Sequence, residues 1–176
     1  MKVEKLIKAD MLREYYFIKG NLSIDTKYFI KKIEEGINLN TNKNYTTNVV
    51  GNMTAFNFFL NDKKFIKMMM PIFDLIDSNP SEEVNSWTLS EAWGFKEKFS
   101  DYTRTHAHLP SFLSGAIQLS NHSQSLYFPK IQETLESKSG NFAVFSSFLQ
   151  HNNKRNTTDK ERYGLSFNII NSSTYD

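Results

Sequence analysis

The chain has 176 residues, of which 39% are hydrophobic and 23% charged, and a formal net charge of +2. That size and balance fit a single folded domain over residues 1–176 and exclude disorder along the whole chain. The basic residues are scattered, which argues against nucleic acid as a partner, and the absence of cysteine removes disulfides, thiolate catalysis and sulfur-bound zinc. Any metal must therefore be held by nitrogen and oxygen.

The first residues, "MKVEKLIKADMLREYYF", carry charges throughout and lack the apolar stretch of a signal peptide. No apolar run reaches the ~20 residues of a membrane span. The expectation is a cytoplasmic protein without a membrane partner. Residues 1–84 read as a helical buttress with early strands. In "SIDTKYFIKKIEEGINLN", Phe29, Ile30, Ile33 and Ile37 recur at helical spacing, with Asp25 or Thr26 as cap and Gly36 weakening the end. "NLNTNKNYTTNVVGN" is rich in asparagine and reads as a loop. A second helix follows in "NDKKFIKMMMPIFDLIDSNP", with Asn61 or Asp62 as cap and an apolar stripe through Phe65, Met68, Met69, Ile72, Phe73 and Ile76. Pro71 should kink that helix or shift its boundary. The run Met68-Met69-Met70 reads as core filling, and the stripe would serve a homodimer as readily as a core.

From residue 85 the texture changes. "VNSWTLSEAWGFKEKF", "SFLSGAIQLS", "SLYFPKI", "GNFAVFSSF" and "RYGLSFNII" are short runs rich in aromatic and β-branched residues, separated by polar clusters. Strands at this spacing, without helices between them, predict an antiparallel sandwich or barrel. The fold class is therefore α+β, mainly β: N-terminal helices buttressing a jelly-roll core over residues 85–170.

Two of the four histidines lie one residue apart in "RTHAHLP". On an extended strand, His106 and His108 would face the same way with Cα atoms about 6 to 7 Å apart. His151 follows the apolar run "FAVFSSFLQ", at the end of a predicted strand. A close pair and one distant ligand can bind one face of an octahedral ion and leave the other open. His122, in "SNHSQS", reads as a solvent-exposed turn. Arg162 opens the alternating segment "RYGLSFNI"; beside the strand that ends at His151 it would point into the same cavity, where a ligand carboxylate would satisfy it. The alternative for Arg162 is a surface salt bridge with Glu161 or Asp159.

Taken together, "DYTRTHAHLPSFLSGAIQLS", "SGNFAVFSSFLQHNN" and "ERYGLSFNI" resemble a family of Fe(II)- and 2-oxoglutarate-dependent oxygenases found in marine bacteria and their phages. The resemblance spans roughly residues 85–170, with "SEAWGFKEKFSDYT" similar to the family's lead-in strand. It implies a double-stranded β-helix of the cupin-like kind in the cytoplasm of a bacterium or phage-infected host. His106 and His151 match the two histidine ligands, and His108 stands where most such enzymes carry Asp or Glu, making the metal set three imidazoles. Arg162 matches the residue that pairs with the distal carboxylate of 2-oxoglutarate. Ser146 replaces a proline, and Gly164 replaces a hydroxyl-bearing residue, a role that Ser166 takes over by strand parity. The implied reaction uses O2 to hydroxylate a primary substrate, a small molecule or a protein side chain, releasing succinate and CO2, with no catalytic residue beyond the metal site. Trp93, Phe112, Phe145 and Phe148 would shelter the site, and loops at 40–52 and 121–124 would shape its mouth. The alternatives are a three-histidine dioxygenase that does not use 2-oxoglutarate and an inactive jelly-roll binding protein.

Overall fold

The computed structural model describes residues 2–5, 8–9, 14–39, 47–78 and 86–172. In chain order the strands are β1 (Lys2–Lys5), β2 (Lys8–Ala9), β3 (Glu14–Tyr15) and β4 (Phe17–Asn21), then β5 (Val49–Val50) and β6 (Asn52–Met53) after the first helix. After the second come β7 (Trp87–Glu97), β8 (Tyr102–Thr103), β9 (Leu113–Gln118), β10 (Leu126–Phe128), β11 (Glu133–Leu135), β12 (Asn141–Ser146) and β13 (Arg162–Asn171). The helices are α1 (Thr26–Leu39) and α2 (Lys63–Asp77). Each of the five stranded segments expected after residue 85 holds a strand.

Seven strands form one antiparallel sheet in the order β1-β4-β12-β9-β13-β7-β6, which does not close on itself. Both helices cover one face. On α1, Phe29 and Ile33 are buried, and Asp25 Oδ1 caps the first turn by accepting the Tyr28 N–H at 3.1 Å. On α2 the same task falls to Asp62, whose Oδ1 accepts the Phe65 N–H at 2.8 Å. Strand alternation supplies the other half of that core: Phe142 and Val144 from β12, Leu113 and Ile117 from β9, and Tyr163, Leu165, Phe167 and Ile169 from β13. The opposite parity of the same strands faces a smaller layer. There Phe17, Ala116, Ala143 and Phe145 meet Leu126, Phe128, Ile131 and Leu135 of the β10–β11 hairpin region.

Several expectations are corrected. Gly36 does not weaken the end of α1, which continues to Leu39; a Cβ there would come within 2.6 Å of Thr54 and 2.7 Å of Phe58, so glycine is needed for close packing. Pro71 lies inside α2, which runs as one helix past it. The asparagine-rich segment is not all loop, because β5 and β6 fall in it, while 40–46 lies outside the described residues. The stripe of α2 is spent on the core: Phe65, Met69 and Ile72 are fully buried, and Met70 is exposed. Among the described residues, no helix is long and apolar enough to cross a membrane.

Candidate metal and cosubstrate site

The two histidine segments are brought together by backbone pairing outside the named strands. β8 ends at Thr103 and β12 at Ser146, so neither the His-x-His pair nor His151 sits on a strand as expected. Instead, His106 and His151 form an isolated antiparallel bridge: the His106 N–H donates to the His151 carbonyl at 3.1 Å, and the His151 N–H to the His106 carbonyl at 3.0 Å. Such a reciprocal pair sets the two side chains side by side. A second hydrogen bond, from the His108 N–H to the Ser147 carbonyl at 2.7 Å, fixes the third histidine. Tyr127 and Asn152 bridge in the same way, at 2.8 and 3.0 Å, tying the histidine segment to β10.

The rings are oriented as tightly as the backbone. The His106 Nδ1–H donates to the Arg104 carbonyl (2.8 Å) and the His151 Nδ1–H to the Leu149 carbonyl (3.0 Å). A carbonyl only accepts, so both imidazoles carry their proton on Nδ1 and expose a lone pair on Nε2. His108 stacks on His151 with centroids 5.0 Å apart and an interplanar angle of 5°, and their Nε2 atoms are 3.2 Å apart. Two nitrogens bound about 2.1 Å from one ion at right angles would lie about 3 Å apart. One nitrogen from each of His106, His108 and His151 falls within 4.8 Å of the others.

Charge state agrees with geometry. Burial holds the His106 imidazole below its usual range, against a raising contribution from the Arg104 carbonyl. Burial, reinforced by His106, lowers His108 to about 3. His151 is depressed well below 6.5 by burial and then by its two histidine neighbours. All three are neutral near pH 7, the form that binds a metal. His122 takes no part. It is half-buried in its loop: Nδ1 accepts the Gln124 N–H (3.0 Å), and Nε2 faces Thr158 Oγ1 (3.0 Å) and the Lys160 carbonyl (3.2 Å).

Two cavities adjoin the cluster. An inner one of about 40 Å³ is lined by the three histidines with Trp93, Phe145, Arg162 and Ser166, and an outer one of about 260 Å³ by Thr47, Val49, Met53, Phe56, Trp93, His106 and His108. Thr47–Val49, from one of the two loops expected at the mouth, line the outer cavity, whereas Asn121–Gln124 line neither cavity; Gln124 bonds the Asp101 and Lys154 carbonyls instead. Of the four expected aromatic walls, Trp93 and Phe145 pack near the imidazoles, with Trp93 5.9 Å from His108 and Phe145 4.9 Å from His151 between ring centroids. Phe112 packs on the helical core and Phe148 on the smaller one.

Arg162 reaches the inner cavity by parity, not by lying beside β12, since β9 intervenes. On β13 the residues Arg162, Gly164 and Ser166 face away from the helices, opposite Glu97, Phe95 and Trp93 of β7. A Cβ at Gly164 would come within 2.3 Å of the Phe95 ring, so a side chain there is excluded by packing. Arg162 pairs with neither Glu161 nor Asp159. Its Nη1 donates to Glu97 Oε2 at 2.5 Å and its Nη2 to Gln118 Oε1 at 3.0 Å, with Arg162 only 1% and Glu97 0% exposed. Asn153 and Thr103 bond the same carboxylate. Arg162 Nε, Gln118 Nε2 and Trp93 Nε1 are buried donors without a partner among the described residues.

Sequence reasoning missed Glu97, Gln118 and Asn153. Glu97 was detectable as the third member of the alternation Trp93-Phe95-Glu97, and Asn153 as the residue two beyond His151.

No family model matches the sequence, and no curated protein does. Solved structures do match the fold. A viral collagen prolyl hydroxylase from Paramecium Bursaria Chlorella virus-1, in complex with 2-oxoglutarate, superposes with a TM-score of 0.65 at 14% identity, covering 88% of this chain and 94% of that one. The fold is that of the 2-oxoglutarate-dependent oxygenases. HygX from Streptomyces hygroscopicus, with nickel, 2-oxoglutarate and hygromycin B bound, matches with a TM-score of 0.61 at 12% identity over 90% of this chain and 83% of its own. A prolyl hydroxylase from Trichoplax adhaerens, in complex with a peptide fragment of hypoxia inducible factor, gives 0.61 at 11% over 90% and 84%. At these identities the likeness carries the jelly-roll architecture.

Proposed function

We propose that this chain is an Fe(II)- and 2-oxoglutarate-dependent oxygenase that hydroxylates a small molecule or a protein side chain. The observation that carries this reading is the convergence of three neutral imidazoles on the wall of a cavity that also holds Arg162, in a fold shared with such enzymes. The donor set fits a divalent metal: His106 and His151 present Nε2 lone pairs fixed by carbonyl bonds, and His108 supplies the third nitrogen. The unpartnered Nε–H of Arg162, which lines the cavity, fits an acceptor on the cosubstrate. Ser166, on the same wall, adds a hydroxyl.

Bound together, Fe(II) and 2-oxoglutarate supply the O2-dependent oxidation that yields succinate, CO2 and a hydroxylated product. The side chains of this protein bind and orient: the Arg104 and Leu149 carbonyls keep two imidazoles aimed, and Arg162 marks the cosubstrate end of the cavity. Trp93 and Phe145 exclude water around the imidazoles. The outer cavity, bounded by Val49, Met53, Phe56 and Trp93, is the place for the substrate group to be oxidised. No side chain is required as general acid or base.

The test is turnover. Protein loaded with Fe(II) should form succinate from 2-oxoglutarate in air, and His106→Ala should not. Absence of succinate from metal-loaded wild-type protein, with candidate substrates supplied, would refute the reading. One observation favours a second reading, a three-histidine dioxygenase that does not use 2-oxoglutarate: Arg162 already holds a carboxylate, that of Glu97. Consumption of O2 with a substrate but without 2-oxoglutarate would support that reading instead.

A further inference from the structure

The outer cavity is walled by a strap of chain fixed along β7. The Thr54 N–H donates to the Gly94 carbonyl at 3.0 Å and the Ala92 N–H to the Phe56 carbonyl at 2.7 Å. The segment that carries Met53 and Phe56 is thereby held against the strand that carries Trp93, and Phe56 meets the Trp93 ring edge to face with centroids 4.9 Å apart. None of the described residues lining this cavity carries a formal charge: its ionisable groups are His106 and His108, both neutral near pH 7. Thr47 spends its hydroxyl on the Val49 backbone, donating to the carbonyl at 2.9 Å and accepting from the N–H at 3.2 Å. Asn48 brings a neutral side-chain amide to the exposed rim. Trp93 Nε1 is a buried donor without a partner among the described residues, on a side chain only 4% exposed. An indole N–H can only donate, and a buried one usually meets an acceptor.

These features select a class of substrate. With Fe(II) and 2-oxoglutarate bound as proposed, a reading on which this inference rests, the two positive charges of the metal are met by the two carboxylates of the cosubstrate. Arg162 is balanced by Glu97. The loaded centre therefore brings no net charge to the outer cavity. A carboxylate or ammonium seated among Met53, Phe56 and Trp93 would lose water and find no counter-ion, which is costly. An apolar group bearing a neutral carbonyl avoids that cost and gives the Trp93 N–H its acceptor. We propose that the outer cavity takes an uncharged, apolar substrate group whose amide carbonyl accepts from Trp93 Nε1, which makes Trp93 a specificity-determining residue. An amide also suits Asn48, whose side-chain oxygen can accept the amide N–H. Free amino acids and small organic acids are disfavoured here, and their amide-linked forms are favoured.

The experiment measures, by NMR, the paramagnetic broadening of probe ring protons on protein carrying 2-oxoglutarate and less than equimolar Mn(II) in place of Fe(II). The probes share one shape: benzamide, benzoate, benzylammonium and toluene. Titrating each gives its affinity beside the metal. Wild-type protein should bind benzamide at least about tenfold tighter than benzoate or benzylammonium, the effect of burying an unpaired charge. It should bind benzamide about fivefold tighter than toluene, the effect of one neutral hydrogen bond. Trp93→Phe should bring benzamide to the level of toluene and leave 2-oxoglutarate affinity within about twofold of wild type. Benzoate or benzylammonium bound within about threefold of benzamide would overturn the proposal without any variant, even if Trp93→Phe does not fold. So would failure of benzamide to bind the loaded protein, or a benzamide preference over toluene that survives in folded Trp93→Phe. A loss of 2-oxoglutarate affinity in that variant would give the N–H to the cosubstrate and overturn it too. In each of these cases the metal and cosubstrate reading stands; if Mn(II) or 2-oxoglutarate does not bind wild-type protein, that reading falls and the proposal with it.

Discussion

Two polar walls, the histidines that line the inner cavity and the Glu97–Arg162 pair of which Arg162 lines it, solve burial in opposite ways. On one, His106, His108 and His151 are kept uncharged and aimed, with their ε nitrogens left, among the described residues, without protein partners other than each other. On the other, Glu97 and Arg162 form an ion pair and are satisfied by one another, Asn153, Thr103 and Gln118. The first wall sits on irregular segments pinned by isolated bridges, the second on regular cross-strand pairing. A neutral wall with exposed lone pairs is poised to take up a cation, whereas the second wall carries its counter-charges within itself.

The sharpest way to break this contrast is to remove one charge from the second wall. Arg162→Ala leaves Glu97 buried and unpaired and should cost about 3 to 5 kcal/mol in chemical denaturation, while the apolar double variant Glu97→Leu with Arg162→Met should recover most of it. Equal instability of the double variant would show that the pair itself stabilises the fold. On the first wall the effect falls on metal, not on folding: His106→Ala should weaken Fe(II) or Co(II) affinity by at least about 100-fold in metal titration, since it removes a ligand outright and not merely its support. A near-normal affinity would remove His106 from the metal set.

The histidine wall also predicts a pH dependence. A histidine lowered to about 3 in the folded state, as His108 is, starts from 6.5 when unfolded, so below 6.5 the unfolded chain binds more protons. Metal-free protein should therefore hold its denaturation midpoint above pH 6.5 and lose stability as pH falls from 6.5 towards 3. His108→Gln should flatten that slope, and an unchanged slope would contradict the assigned burial. The smallest effect belongs to Ser166→Ala, which should weaken 2-oxo acid binding about fivefold, the worth of one neutral hydrogen bond of about 1 kcal/mol. No change there would leave Ser166 a packing residue.

Much of this was legible in the sequence because it follows from local periodicity. The stripes of α1 and α2, their Asp25 and Asp62 caps and the later strands all express spacing and turn chemistry over a few residues. The histidine trio was legible because His106, His108 and His151 stand in motifs whose order resembles a known family. What sequence could not give was register. Glu97 opposite Arg162, and Gln118 beside it, depend on which strands pair and with what offset, set by contacts far apart in the chain. For the same reason β4, one of the early strands, was expected but not placed: "FIKGN" has little alternation of its own and becomes a strand by pairing with β12 and β1. The bridge between His106 and His151 likewise has no local signature, since neither residue lies in a strand.

The central claim, that the three imidazoles and the Arg162 cavity together hold Fe(II) and 2-oxoglutarate, is tested most directly by optical spectroscopy without oxygen. Adding 2-oxoglutarate to Fe(II)-loaded protein should produce the metal-to-ligand charge-transfer band of a chelated 2-oxo acid, and His151→Ala should abolish it. A wild-type protein that binds Fe(II) yet shows no band at saturating 2-oxoglutarate would contradict the account.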